Sequence, residues 1–347
     1  MPIEKAITMK DVAERAGVTQ STVSHVFNGT ATISEAVTQK VRAAAEELCY
    51  KPRHRPVGRL NGKPIRAIGL IVPDIENNFY AEFVRKTEAL ARQRDYLTIL
   101  CNTESKVGLE RNCIEQMAVS GVAGILLAYE LMSPESYRAL AKTRIPAVAM
   151  DTYAKTDTWE FPSISVNNLL GGRLAAEHLV KLGRKNAAIT SAVLNAGATA
   201  MRERIKGFRM AMEEYGYPVA EENIFIESHP YGSMEGGSNI GAKVLVDGSI
   251  DAIFATNDYT AFGVMKRLCA HGLRIPSDIA IIGYDDVTFS GFVEPSLTTV
   301  AQPIGRLSET GMELLFSAIK NGNEAVREHI VVDPNLVIRD STLSNAE

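Results

Sequence analysis

From residue 66 onward the chain alternates short apolar runs with amphipathic segments, and this rhythm narrows the possible folds more than any other feature. AIGLIV (67–72), LTILCN (97–102), GILLAY (124–129) and PAVAMD (146–151) read as strands, with helices at 81–94, near 107–119 and near 134–142. After a crossing at SISVNN (163–168) the theme restarts with a helix at 169–182 and strand AAITSA (187–192). Helix 201–215, strand NIFIE (223–227), helix 234–246, strand AIFATN (252–257), helix 259–271 and strand IAIIGY (279–284) continue it. Apolar strands separated by helices predict parallel sheets covered on both faces. Two consecutive sets predict two similar doubly wound α/β subdomains. Ligands of open α/β sheets bind beyond the carboxyl ends of strands. That rule singles out Asp74, Asp151, Asn257-Asp258 and Asp285, which end or follow these strands.

The first 52 residues obey a different pattern. In MKDVAERAGVTQSTVSHV, residues 9–26, Val12, Ala13 and Ala16 share one face of a short helix. Gly17 sits where a tight turn needs positive φ. Thr19 can cap a second helix whose buried stripe is Val23 and Val26. Two short helices joined by a glycine turn predict a helix-turn-helix, with an αα-hairpin as the plainer alternative. Gln20, Ser21, Thr22, Ser24 and His25 are then polar and outward, where side chains reach base edges in a major groove. Ser34 is placed to cap a third helix carrying Val37, Val41, Ala44 and Leu48.

Charge divides along the same line. Residues 1–66 hold 11 Lys and Arg against 6 Asp and Glu, whereas the remainder holds 26 against 35. A basic small domain joined to an acidic large one suits a polyanion partner for the first part only. With 347 residues, 46% of them hydrophobic, the chain can bury more than one core. No run approaches the ~20 apolar residues of a membrane span, and MPIEKAITMKD lacks the apolar core of a signal peptide. The four cysteines (49, 101, 113 and 269) form no CxxC, which suits reduced thiols in a cytoplasmic protein.

Enzyme chemistry finds little support. The histidines at 25, 54, 178, 229, 271 and 329 lack metal-ligand spacing, and no G-x-S-x-G elbow occurs. GGSNIGAKV lacks the Gly-Lys-Ser/Thr of a phosphate loop and does not follow a strand as that loop must. No cofactor and no metal are expected.

DVAERAGVTQSTVSHVFNG, followed by a Ser-capped helix and Tyr50-x-Pro52, resembles the DNA-binding headpiece of the lactose-repressor/galactose-repressor family. The resemblance continues through VPDIENNFYAE, RIKGF, ATNDYTAFG, GLRIPSDIAIIGYDD and PSLTTVAQP, covering nearly the whole chain. It implies a headpiece at 1–52, a hinge at 53–64 and an effector-binding body at 65–347 shaped like a periplasmic sugar-binding protein. The chain would cross three times between an N-subdomain (65–163 and 298–322) and a C-subdomain (164–297 and 323–347). In the family's headpiece the reading helix would present Thr19, Gln20, Ser21, Thr22, Ser24, His25 and Asn28 to DNA.

The hinge departs from the pattern. The family places there a short helix, formed on operator DNA, with a leucine that wedges into the minor groove. Here RHRPVGRLNGKP follows, and counting from Tyr50 without a gap puts Arg59 at the wedge position and Leu60 one residue late. Gly58 and Gly62 weaken any helix. The segment reads either as a Leu60 wedge in shifted register or as a basic tether in which Arg55 and Arg59 touch phosphates.

Carried over by resemblance, the effector candidates are Phe79 and Tyr80, Arg204, Asp285 and Tyr231, with Asp151 and Asn257 secondary. Phe79 and Tyr80 read equally as core residues of the following helix, and Asp285 as a loop cap. Carboxylates, one arginine and aromatic faces suit a polyhydroxylated, sugar-like ligand.

Three functions remain open. A DNA-binding repressor of carbohydrate-utilisation genes, dimeric on a near-palindromic operator, fits best. A sugar receptor or sensor without a transcriptional role would carry a signal peptide and no headpiece. An enzyme with an appended DNA-binding domain would turn over its ligand. The C-terminus has no leucine heptads, so no tetramerising coiled coil is expected.

Overall fold

The computed structural model describes residues 7–28, 33–48, 50, 59–60, 63–64, 66–129, 133–150, 161–192, 199–227, 232–322 and 328–343. The headpiece comprises α1 (Met9–Ala16), α2 (Gln20–Asn28) and α3 (Glu35–Glu47). Thr8 and Asp11 form a reciprocal capping box at the start of α1, and Gly17 ends it in the left-handed conformation at φ 65°. Val12, Val23 and Val41, all fully buried, meet at the centre with Ala13, Ala44 and Ala45. Phe27, Val37, Leu48 and Tyr50 close its margin. Ser34 occupies the position before α3 but its side chain makes no capping hydrogen bond; there the sequence reading of a side-chain cap fails.

The hinge is partly extended. Arg59–Leu60 (β1) and Lys63–Pro64 (β2) pair antiparallel, with Arg59 opposite Pro64 and Leu60 opposite Lys63. The residues between them in sequence, Asn61 and Gly62, are the dipeptide that short hairpin connections favour. The helix that the resemblance implies is therefore absent at residues 59–60 and 63–64 of the free chain.

The first α/β set runs β3 (Arg66–Val72), α4 (Asn78–Arg92), β4 (Tyr96–Asn102), α5 (Val107–Ser120), β5 (Ile125–Leu127), α6 (Pro134–Thr143), β6 (Ala147–Met150) and β7 (Ser163–Val166). The second runs α7 (Asn168–Lys181), β8 (Ala187–Ser191), α8 (Thr199–Glu214), β9 (Ile224–Ile226), α9 (Met234–Asp247), β10 (Ala252–Ala255), α10 (Asp258–Ala270), β11 (Ala280–Asp285) and β12 (Thr298–Ala301). Then follow α11 (Ile304–Asn321), β13 (His329–Val332) and β14 (Asn335–Val337).

Two six-stranded sheets result, in the orders β13-β7-β6-β5-β3-β4 and β14-β12-β11-β10-β8-β9. Every pairing within them is parallel except β12 with β14. Because side chains alternate across a strand, the apolar run of β3 serves two cores. Ile68, Leu70 and Val72 join Phe83 of α4 and Leu307, Met312 and Leu315 of α11. Ala67 and Ile71 join Ile114 and Met117 of α5 and Leu140 of α6. The second sheet repeats the arrangement. Ile189, Phe254 and Ile282 face Leu179, Phe208 and Met212 of α7 and α8, while Ile253 and Ile281 face Ile240, Val244, Val264 and Leu268 of α9 and α10.

The strand partners revise the subdomain boundaries. β7 pairs with β6, so the first sheet extends through Val166 rather than ending at 163. β12 pairs with β11, so 298–301 lie in the second sheet, and only the following α11 returns to the first. β13 pairs with β7 in register His329 to Ser163, so the tail supplies a strand to each sheet. The three crossings fall after β7, after β12 and between β13 and β14. At the first and third, the Asn167 side-chain amide donates to Asp333 at 3.0 Å.

Candidate functional site

In the headpiece, the Thr19 hydroxyl accepts the Thr22 backbone N–H at 3.1 Å and lies 2.9 Å from the Thr22 hydroxyl. This caps α2 and turns those two side chains toward its end. Gln20 and Ser21 on the first turn are exposed; Thr22, Ser24 and His25 are half-buried. The polar face foreseen from sequence is thus most open at Gln20 and Ser21. Asn28 closes α2. Arg59 and Leu60 lie on β1, and Arg55 falls outside the described residues.

The second cluster lies at the carboxyl ends of the second sheet's strands. It is built by close helix contact. A Cβ on Gly172 of α7 would lie 2.0 Å from the Arg204 carbonyl oxygen, and one on Gly207 of α8 would lie 2.0 Å from that of Leu169. Only glycine permits this approach, which sets Arg204 of α8 beside Asn168, the first residue of α7.

Arg204 is 4% exposed. Its Nε donates to Asn168 Oδ1 and its Nη1 to the Thr256 carbonyl oxygen, both at 2.8 Å. Nη1 also lies 3.5 Å from Asp285 Oδ1. The guanidinium stacks on Tyr284, whose hydroxyl donates to Asn168 Oδ1 at 3.1 Å. Gln302, just beyond β12, donates through Nε2 to Asp285 Oδ1 at 2.7 Å. Asn257 caps α10 by accepting the Thr260 N–H at 2.8 Å. Two buried amide atoms here, Asn257 Nδ2 and Gln302 Oε1, have no hydrogen-bond partner. Such groups are costly unless something satisfies them, and together they offer one donor and one acceptor.

Arg204 and Asp285 thus lie side by side, and Asn257 directly follows the Thr256 whose carbonyl accepts Arg204 Nη1. Phe79 and Tyr80 belong to the helix that follows the first strand of the other subdomain. Both are buried in the core of the first subdomain, their rings edge-on at 5.1 Å, as the alternative core reading had it. The loop before them does reach across. The Tyr259 hydroxyl on α10 accepts the Asn78 N–H at 3.3 Å and donates to the Glu76 carbonyl at 3.1 Å. Asp74 only closes that loop, accepting the Glu76 N–H at 2.9 Å. Asp151 and Tyr231 lie outside the described residues.

Asn168, Tyr284, Tyr259 and Gln302 escaped the sequence reading. Gln302 carried a usable signal, since it follows the last parallel strand at the end where ligands bind. Asn168 gave none, because SISVNN reads as a crossing whereas the helix begins at its last residue.

Residues 8–53 match the model of bacterial regulatory proteins of the lacI family, and residues 176–342 match that of the periplasmic binding protein-like domain. The chain is 35% identical over 340 residues to the HTH-type transcriptional regulator DegA of Bacillus subtilis (strain 168), covering 96% of this chain and 98% of that one. It is 34% identical over 343 residues to the HTH-type transcriptional repressor PurR of Vibrio parahaemolyticus serotype O3:K6 (strain RIMD 2210633), with the same coverage. Among solved structures, the Lac repressor dimer bound to operator and the anti-inducer ONPF matches with TM-score 0.71 and 28% identity, covering 98% of this chain and 100% of that one. A lacI-family regulator from Enterococcus faecium with bound ribose matches with TM-score 0.70 and 30% identity, over 80% of this chain and 100% of that one. These relatives are regulators rather than enzymes. With a helix-turn-helix at one end and a two-sheet binding body at the other, this chain belongs to the lacI family of bacterial regulatory proteins and is a DNA-binding transcriptional regulator with a ligand-binding domain.

Proposed function

We propose that the protein is a cytoplasmic repressor of carbohydrate-utilisation genes whose grip on a near-palindromic operator is set by a neutral, sugar-like ligand between the two subdomains. The observation that carries this reading is the unpartnered pair in the second cluster. Asn257 Nδ2 and Gln302 Oε1 are a donor and an acceptor without partners, beside an Arg204 and an Asp285 that offset each other's charge. A hydroxyl both donates and accepts, so a polyol satisfies both amides and brings no net charge. The ribose-bound relative supports the sugar class; the relation to PurR makes a nucleobase the second reading.

DNA contact is assigned to Gln20 and Ser21 for base edges, with Thr19, Thr22, Ser24, His25 and Asn28 beside them and Arg55, Arg59 and Leu60 in the hinge. Asp151, Tyr231, Phe79 and Tyr80 stay as effector candidates, the last two as the packed base of the loop that meets Tyr259. A dimer would cover two apolar exposures: Leu97 and Leu100 on the edge strand β4, and Phe292, 81% exposed, with Phe289. The latter adjoin a groove of about 280 Å³ lined by Phe262, Met265, Lys266, Cys269, Val293 and Glu294.

A thermal-shift screen of neutral sugars, sugar phosphates and nucleobases tests the ligand class, since a ligand that binds only the folded state raises the melting temperature. Stabilisation by neutral sugars, with a matching change in operator affinity, supports the proposal. Stabilisation by nucleobases alone transfers the reading to a purine-type effector, and by sugar phosphates alone overturns the neutral class.

A further inference from the structure

Asp258 is the first residue of α10, yet it caps nothing there; Asn257 does that. Its carboxylate is fully buried, and its recorded partners lie outside its own helix. Oδ2 accepts the Val287 backbone N–H at 3.0 Å and the Ser290 hydroxyl at 2.7 Å. Oδ1 accepts the Thr299 hydroxyl at 2.6 Å, and Thr299 Oγ1 in turn accepts the Asp286 N–H at 3.3 Å. All these bonds grip the turn that leaves β11. A Cβ on Gly283, in that same strand, would lie 2.2 Å from Asp258 Oδ1, so the strand admits the carboxylate only where it has no side chain.

The gripped turn is strained. Asp285 has φ 118° and Asp286 φ 56°, consecutive residues in a region that non-glycine residues rarely enter. Such conformations persist only when their surroundings over-determine them, and they gather at ligand sites. Arg339 assists from the far side, donating to Asp286 Oδ1 at 2.7 Å and to the Leu297 carbonyl at 2.8 Å. Relaxed to an ordinary backbone, the turn would carry the Asp285 carboxylate away from Arg204 and Gln302.

We infer that Asp258 is a positioning residue of the ligand cleft: through Thr299, Ser290 and Val287 it holds the turn in the left-handed backbone that aims Asp285 at Arg204. Being joined to Asn257, it also fixes the helix start that presents the unpartnered amide. The inference rests on the reading of this cluster as the effector site, but its test needs no effector.

The test is side-chain and backbone NMR of the full-length protein, with Asp285 assigned through Asp285→Asn and Gln302 through Gln302→Glu. In Asp258→Asn, the Cα and carboxyl carbons of Asp285 should leave their left-handed, bonded positions, and the Gln302 amide signals should move to those of a free amide. Thr299→Val should shift the same signals in the same direction by less, and Thr299→Ser, which keeps the hydroxyl, should restore them. Unchanged Asp285 and Gln302 signals in a folded Asp258→Asn would overturn the proposal and leave Asp258 a support of the fold. Should that variant not fold, the two Thr299 variants decide, and identical spectra from them would overturn it. A wild type that responds to no sugar, sugar phosphate or nucleobase would sink the effector reading instead, and leave these spectra unaffected.

Discussion

The centre of the Arg204 guanidinium lies 3.7 Å from the centroid of the Tyr284 ring, so the arginine is stacked against one aromatic face. Tyr284 is fully buried and bonded to the same Asn168 oxygen that holds Arg204 Nε. Arginine, tyrosine and asparagine therefore form one unit. Its planar donor fork is something lysine does not reproduce.

Arg204→Ala is accordingly expected to do two things. It removes the ligand response while headpiece binding to DNA persists. It also leaves Asp285 buried with its arginine gone, and breaking a buried charge pair costs about 3–5 kcal/mol. Melting curves and operator titrations with and without the stabilising compound measure both effects. An unchanged melting temperature with full responsiveness would remove Arg204 from the site.

At the headpiece, Gln20→Ala and Ser21→Ala should leave stability unchanged, because both side chains are exposed. Each should relax operator preference at one or two positions, by roughly 1–3 kcal/mol per lost contact. Val23→Ala should do the reverse, melting the small core in which Val23 is fully buried. Selection from randomised operators separates the two behaviours; a Gln20/Ser21 double variant with wild-type preference would show that α2 is not the reader.

The hinge yields a mechanical prediction. Leu60 sits on β1 opposite Lys63 in the free chain, and on DNA it is expected to wedge into the minor groove. Leu60→Ala should then lose several-fold in operator affinity and bend the duplex less. Neutralising Arg59 should lower the salt dependence of binding by about one unit of slope, as for one lost phosphate contact. Equal bend angles for wild type and Leu60→Ala would reduce the segment to a basic tether.

Asp258 makes stability depend on pH in a defined sense. Burial raises its carboxyl from 3.8 to about 7, with the Asp286 charge pushing the same way and the bonds from Thr299, Ser290 and Val287 opposing. Between those two values the folded chain keeps a proton that the unfolded chain has released. Stability from this group is therefore complete below 3.8, declines as pH rises, and is lost above about 7. Urea midpoints of wild type and Asp258→Asn across this range should show the decline in wild type and a flatter profile in the variant. Parallel profiles would refute the assignment.

Elements were far more legible than their partners. The apolar rhythm placed the strands and helices from β3 to β6 and from α7 to β11 because burial on both faces and helical periodicity are local properties. Which sheet Ser163–Val166, Thr298–Ala301 and His329–Val332 would enter is not local. Parallel partners are chosen by long crossovers, and nothing within SISV says that it pairs with HIVV 166 positions away. The site shows the same division. Arg204 and Asp285 were visible through resemblance and Asn257 through its strand end. Asn168 and Gln302 became functional candidates only when folding brought them to one place. Asp258 read as one more acid at a strand end, and nothing local says that its bonds run to a turn some thirty positions later.

The interleaving of the two sheets also bears on how the chain is made. The headpiece is continuous and can fold as soon as it leaves the ribosome, since domains generally fold as units from the N-terminus. The body has no such option. Its first sheet lacks an edge strand until His329–Val332 is synthesised, and the second waits for Asn335–Val337. For most of translation the headpiece is therefore tethered to an unfinished body. Truncation before His329 would strip a strand from both subdomains at once.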